Sequence, residues 1–324
     1  MTSMVSTTVA RDRPQEQPPS PAPAPKRRRS GSRETRAGYA FLLPWMLGFL
    51  GLTLGPMLAS LYLSFTEYNL FTAPTWAGLD NYIELFRDDR WLQSVRVTVL
   101  YVFVSVPVKL AVALAVAMLL VRPRRGQGFY RAAFYAPSLL GTSVSVALVW
   151  RALFSDDAVV DQTLSAVGLR LGGWVGNPDF APLLLILLAV WQFGAPMVIF
   201  LAGLKQVPKE FYEAAEVDGA GPWRRFLTIT VPMISPVLFF NLLLETVNAF
   251  QAFTPAFVVS NGEGGPAGAT LFYTLYLYQQ GFTQFNMGYA AAMAWMLVLG
   301  AGLVALGLFR FSRFWVHYSG DDAR

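Results

Sequence analysis

The chain has no cysteine and a single histidine, His317. Without cysteine there is no disulfide framework, no cysteine–zinc site, no iron–sulfur cluster and no thiol nucleophile. One histidine excludes a multi-histidine metal centre, and its place near the C-terminus is a poor anchor for a catalytic triad. Charge is scarce as well. Asp, Glu, Lys and Arg make up 14% of the 324 residues, against about 25% in soluble domains, too little to clothe a water-facing surface of this length. Wholesale disorder goes with low hydrophobicity, whereas this chain is 54% hydrophobic with a mean hydropathy of +0.43. What is left is a polytopic membrane protein with almost no reactive side chains.

Further absences narrow the chemistry. There is no G-x-x-x-x-G-K-[ST] phosphate loop, so the chain does not bind and hydrolyse a nucleotide in that way. The glycine-rich stretch Asn261–Gly268 lacks the lysine such a loop needs. H-E-x-x-H and G-x-S-x-G are missing, which removes metalloprotease and serine-hydrolase readings. No enzyme activity and no bound cofactor or metal is expected.

Apolar runs are what the sequence has in abundance. A bilayer core about 30 Å thick needs roughly 20 apolar residues in helix. Six stretches qualify, over about 39–65, 95–121, 134–154, 183–204, 234–259 and 287–309. Period-2 alternation is absent, which speaks against an outer-membrane barrel. The expected class is therefore all-α, with six transmembrane helices.

The net charge of +5 acquires meaning from its location. Nineteen basic residues fall before the first span, in the second-to-third and fourth-to-fifth connections, and after the sixth span. Three, Arg87, Arg90 and Arg170, fall in the other connections. The positive-inside rule then puts both termini in the cytoplasm, and no nucleic-acid partner is implied. Residues 1–37 differ in composition, rich in proline and ending in Lys26-Arg27-Arg28-Arg29 and two more arginines. They read as a disordered polybasic tail drawn to anionic membrane lipid; residues 316–324 form a second cytoplasmic tail. Asp80–Trp91 reads as an amphipathic interfacial helix with Tyr82, Ile83, Phe86 and Trp91 on its apolar side.

Polar residues inside spans mark candidate pathways. Asn241, Glu245, Asn248 and Gln251 recur at spacings that share one face of the fifth helix. Carboxamides and carboxylates bind sugar hydroxyls, and Phe250 and Phe253 lie close by for stacking. The competing reading is a polar stripe bonded to a neighbouring helix. Ser138, Thr142, Ser143 and Ser145 give the third span a polar side, read first as backbone-bonded packing. Lys109, mid-way along the second span, costs roughly 2.5–3.5 kcal/mol to insert; it is expected to face the interior and meet Glu245 or backbone carbonyls.

The fourth-to-fifth connection, 205–230, carries the longest motif. Pro208 starts a helix well, Asp218-Gly219 ends it, and Gly221-Pro222 turns the chain before helix resumes. Glu213-Ala214-Ala215, then Gly219, then Ile229-x-Val231-Pro232 resembles the EAA loop of binding-protein-dependent ABC importer permeases. The usual leucine before the proline is Val231 here. With Val149-Trp150-Arg151 to Phe154, the outer NGEGGPAGAT stretch and Gly288-Tyr289-Ala290-Ala291-Ala292, the chain is similar over residues 38–315 to the carbohydrate-uptake branch, and in particular to the larger permease subunit of a maltose importer.

The resemblance implies a type I ABC importer permease fold in the bacterial inner membrane. It implies a second homologous permease, two cytoplasmic ATPase subunits that bind the ATP, an extracytoplasmic solute-binding protein, and a small polar solute of the sugar class. It assigns Glu213, Ala214, Ala215, Asp218, Gly219 and Ala220 to ATPase coupling. Gln192 beside Trp191, Glu245 and Asn248 fall near family pathway positions, with Gln251 and Ser143 as further candidates. The alternatives are a permease for glycerol phosphate or a polyamine, or a stand-alone secondary carrier.

Overall fold

The computed structural model describes residues 32–122, 125–141, 143–155, 158–166, 168 and 173–316, with side chains from Gly38 onward. Expectations for Arg11 to Arg29, Arg124, Thr142, Arg170, His317 and Arg324 lie outside the described residues. The chain divides into two units, Met1–Pro56 and Met57–Arg324.

In the first unit, α1 (Ser32–Gly48) begins inside the segment read as a tail, so residues 32–37 are helical. It passes into a π-helical turn, Phe49–Leu54, which stops just before Pro56. Proline lacks the N–H that would continue the ladder, and π turns absorb such interruptions. Phe41 and Leu52 are more than 80% exposed, as a surface made for lipid or another apolar partner requires.

The second unit opens with the end of α2 (Gly55–Ser64). Two short antiparallel strands follow, β1 (Thr66–Glu67) and β2 (Thr75–Trp76), in register Thr66 to Trp76. The expected interfacial helix is two pieces. α3 (Asp80–Leu85) ends, and α4 (Asp89–Val121) restarts beyond Asp88, whose side chain accepts the Arg90 N–H at 2.9 Å and caps it. Trp91 accordingly belongs to α4 and is buried, with Nε1 donating to Tyr273 Oη at 3.0 Å, while Ile83 and Phe86 stay exposed.

α4 is the central element, packing against α8 (Ala181–Trp191), α9 (Gly194–Leu204) and α13 (Ser235–Phe250). Ala113 and Ala117 are fully buried on α4, against a core that includes Leu184, Leu185, Met197 and Phe200. Small residues there let neighbouring backbones approach.

Among the described residues, four helices are long and apolar enough to cross a membrane: Gly38–Ser64, Asp89–Val121, Ser235–Val259 and Met287–Ser312. Two bent pairs bring the number to six if each is one span. The third expected span falls on α5 (Gln127–Leu140) and α6 (Val144–Phe154), with a bend of 95° between α5 and the segment from Val144 that includes α7 (Val159–Ala166). The fourth is α8 and α9, bent by 43°. Hydropathy reads a broken helix as one run because side-chain apolarity does not report the backbone path.

The remaining helices are α10 (Lys209–Val217), α11 (Pro222–Arg225), α12 (Val231–Met233), α14 (Thr254–Val259), α15 (Tyr273–Tyr278) and α16 (Met287–Ser312). At the start of α16, a Cβ on Gly288 would lie 2.0 Å from the Thr66 carbonyl oxygen. This small residue thus accommodates a strand.

Candidate functional site

A cleft of about 460 Å³ opens between α4, α5, α8, α13 and the turn after α13. Its polar lining comprises Lys109 and Ser105 from α4, Ser138 from α5, Gln192 from the α8–α9 break, Glu245 and Asn248 from α13, then Gln251 and Thr254. Tyr101 and Phe253 supply aromatic wall. Lys109 Nζ donates to Glu245 Oε2 at 2.7 Å, and both side chains are more than four-fifths buried. The pair is net neutral, so each charge meets its partner rather than bare hydrocarbon.

The backbone break between α8 and α9 is satisfied by one side chain. Ser138 Oγ donates to the Gln192 carbonyl and accepts the Ala195 N–H, both at 2.9 Å. Gln192 Nε2 in turn donates to the Gly141 carbonyl at 3.1 Å. Irregular backbone at membrane depth is tolerated where such partners exist and where it borders a cavity. The approach is close. A Cβ on Gly141 would lie 2.1 Å from the Gln192 side chain, and one on Gly194 would lie 2.3 Å from the Phe134 carbonyl oxygen.

The cleft thus brings together Gln192, Glu245, Asn248, Gln251 and Lys109. It does not include Ser143, whose hydroxyl accepts the Ser145 N–H at 3.2 Å and caps α6; a hydroxyl at a helix start is claimed by the orphan backbone donors. Asn241 is also elsewhere: it is 1% exposed and turned to the Pro196 carbonyl of α9. Phe250 is buried in the core, while Phe253 lines the cleft. Sequence reasoning read Ser138 as packing and passed over Tyr101; the polar face of the third span was a signal for the first, and nothing in the pattern singled out the second.

The second candidate is the α10–α11 loop. Gly219 sits at φ +74°, the left-handed conformation glycine adopts freely. Its N–H bonds to Glu216 O at 3.0 Å and the Ala220 N–H to Ala215 O at 2.8 Å, the Schellman pattern that closes a helix C-terminus. Glu213, Ala214 and Asp218 are exposed; Ala215 and Ala220 are half-buried. Two contacts missed in the sequence hold the element: Arg225 Nη1 to Glu216 Oε2 at 3.1 Å, and Tyr212 Oη to Thr230 Oγ1 at 2.9 Å. Val217 and Trp223 expose 89% and 71% of their surface, an apolar face next to the motif. None of these loop residues lines the cleft.

At the opposite end of α4, Asp88 Oδ2 accepts from Tyr276 Oη at 2.6 Å and Tyr289 Oη at 2.7 Å. Burial pushes the Asp88 carboxyl up, but these hydroxyls and the N–H groups of Trp91 and Arg90 together hold it below its ordinary value. Burial first, then Asp88 itself, pushes the Tyr276 phenol up to about 12. Among the described residues, no group of three or more His, Asp or Glu side chains could hold a metal ion.

A family model described as "Binding-protein-dependent transport system inner membrane component" matches residues 76–316. The chain belongs to that family. This permease is 50% identical over 296 residues to the "Probable ABC transporter permease protein YesP" of Bacillus subtilis (strain 168), covering 91% of this chain and 96% of that one. It is 31% identical over 283 residues to the "Lactose transport system permease protein LacF" of Rhizobium radiobacter, covering 85% and 94%. A permease chain in the crystal structure of a bacterial alginate ABC transporter, in complex with alginate pentasaccharide-bound periplasmic protein, shares the fold. Its TM-score is 0.74 at 20% identity, covering 87% of this chain and 95% of that one.

Proposed function

We propose that this permease is the membrane-spanning path of an ATP-driven importer for a sugar or oligosaccharide. The carrying observation is the cleft, where a neutralised ion pair, three carboxamides and two aromatic walls face one space. That lining offers paired donors and acceptors to hydroxyls and a flat face to a pyranose ring, with no net charge to demand an ionic solute. The relative named for lactose and the structure with an alginate pentasaccharide support a saccharide reading.

Both termini are assigned to the cytoplasm by the charge asymmetry, which puts α10 and α11 on the ATPase side. Glu213, Ala214, Ala215, Asp218, Gly219 and Ala220 then form the docking element, and Arg225 with Glu216 braces it. Closure of two ATPase subunits pushes this element, and the push becomes rocking of the spans. A homologous second permease completes the path, and a solute-binding protein delivers the solute from the far side. The chain itself carries no ATP and no cofactor.

Liposomes holding this chain alone should pass no sugar, and those holding the full assembly should accumulate it with ATP. Sugar flux through the chain alone would overturn the proposal in favour of a stand-alone carrier. Glycerol phosphate is a second reading because Lys109 borders the cleft; its charge is met by Glu245, so a phosphate ester should not compete with the sugar for uptake.

A further inference from the structure

We infer that the end of α4 and the start of α5 form a binding site for a phosphate-bearing anionic lipid headgroup. A pocket of about 260 Å³ lies there, its lining including Leu119, Leu120, Arg122, Arg125, Gln127 and Phe134. A water occupies roughly 30 Å³ in the liquid, so the space admits a phosphodiester with part of its glycerol. Two guanidinium groups and no carboxylate line it. Gln127 Nε2 donates to the Leu120 carbonyl, one of the carbonyls a helix end leaves without a partner, and this bond ties the start of α5 to the end of α4.

A second observation points to an anion. Arg131 lies one turn beyond Gln127, on the face that also carries Phe134. It is not one of the lining residues, but among the described residues its Nε and Nη2, shielded from solvent, have no hydrogen-bond partner. Shielded guanidinium N–H groups without an acceptor are costly, and a phosphate accepts the paired donors that arginine presents. No side chain caps the start of α5 either.

The surroundings select lipid over free phosphate. The apolar run of α4 ends at Val121, immediately before Arg122. Leu119 and Phe129 flank the pocket at 68% and 75% exposure, surfaces suited to acyl chains. A headgroup entering from the membrane would leave its tails against them, as basic pockets beside membrane helices generally allow. The site does not depend on which solute the permease carries.

Native mass spectrometry of the full-length protein in mild detergent tests this, at high salt so that the N-terminal basic run is screened. The probes are dioleoylphosphatidylglycerol, dioleoylphosphatidylcholine and inorganic phosphate. The wild type should retain one phosphatidylglycerol and no phosphatidylcholine. Arg122→Gln with Arg125→Gln should weaken retention by about tenfold or more. Both side chains are exposed, so unchanged thermal unfolding checks the fold, and Arg125→Gln alone serves if the pair fails it. Equal retention by the variant, or equal retention of phosphatidylcholine, overturns the inference. Displacement of the lipid by inorganic phosphate overturns it too, assigning the pocket to a soluble anion. So does lost co-purification of the ATPase with lipid retention unchanged, which assigns the arginines to protein contact.

Discussion

Lys109 Nζ lies 2.7 Å from Glu245 Oε2, joining α4 to α13 across 136 residues of sequence inside the cleft. Each charge makes the other tolerable, and together they remove net charge from the candidate path. Removing one partner leaves the other stranded, so Lys109→Met should cost about 3 kcal/mol of stability. Lys109→Met with Glu245→Leu should recover most of that loss. Thermal unfolding in detergent of the two single variants and the double variant measures the coupling; additive losses would show that the pair is not an energetic unit.

Gly194 should not tolerate a side chain. An added Cβ would meet backbone, the Phe134 carbonyl oxygen at 2.3 Å and the Tyr135 Cα at 2.7 Å, and backbone cannot swing aside. Gly194→Ala is expected to cost about 1–3 kcal/mol and to lower the unfolding temperature. Gly219→Ala, where nothing lies within 4 Å of the added carbon, should cost only the left-handed backbone penalty of about 1 kcal/mol.

The α10 loop gives a functional prediction that stability cannot mimic. Glu213→Lys and Gly219→Asp should leave the protein in the membrane at wild-type abundance and abolish ATP-dependent uptake. Arg225→Gln, which removes the brace to Glu216 at the exposed end of the element, should reduce uptake less. Membrane fractionation beside transport assays separates the two effects; wild-type uptake by Glu213→Lys would remove this loop from coupling.

Asp88 sets an acid limb. Its carboxyl lies below the ordinary value when folded, so the unfolded chain binds its proton first as pH falls. Its stabilisation is present above the unfolded value near 3.8 and is lost as pH falls through the lower folded value. Tyr276, raised from 10.0 to about 12, gives the opposite limb: its contribution is full below pH 10 and falls away toward 12. Unfolding temperature against pH should therefore drop below about pH 4. Asp88→Asn should flatten that acid limb and lower stability at neutral pH.

Much of this was legible in the chain. Four of the six expected spans coincide with single helices long and apolar enough to cross a membrane and the other two with bent helix pairs, because insertion depends on summed side-chain transfer energy. The 213–232 motif located a solvent-facing loop, since its helix stop depends on a local backbone preference at Gly219. The i, i+3 spacing put Glu245 and Asn248 on one face, which geometry alone dictates. Ser143 and Asn241 went the other way: one hydroxyl was taken by its own helix start, the other carboxamide by a neighbouring carbonyl. A polar side chain in a span takes the nearest unmet backbone group, and that neighbour is invisible in sequence.

The sequence by itself determined that the chain is helical, that it carries apolar runs long enough to cross a membrane, and where the EAA-like loop lies. These follow from composition and local conformational preference. Only the tertiary structure decided that the third and fourth apolar runs are bent helix pairs and that Ser138 satisfies the backbone at the second bend. It alone seated Lys109 on Glu245 and, among the described residues, left Arg131 Nε and Nη2 without a partner. Those outcomes depend on which helix packs against which. In an apolar solvent that packing is set by close contacts and backbone hydrogen bonds between residues far apart in the chain, and no window of sequence carries them.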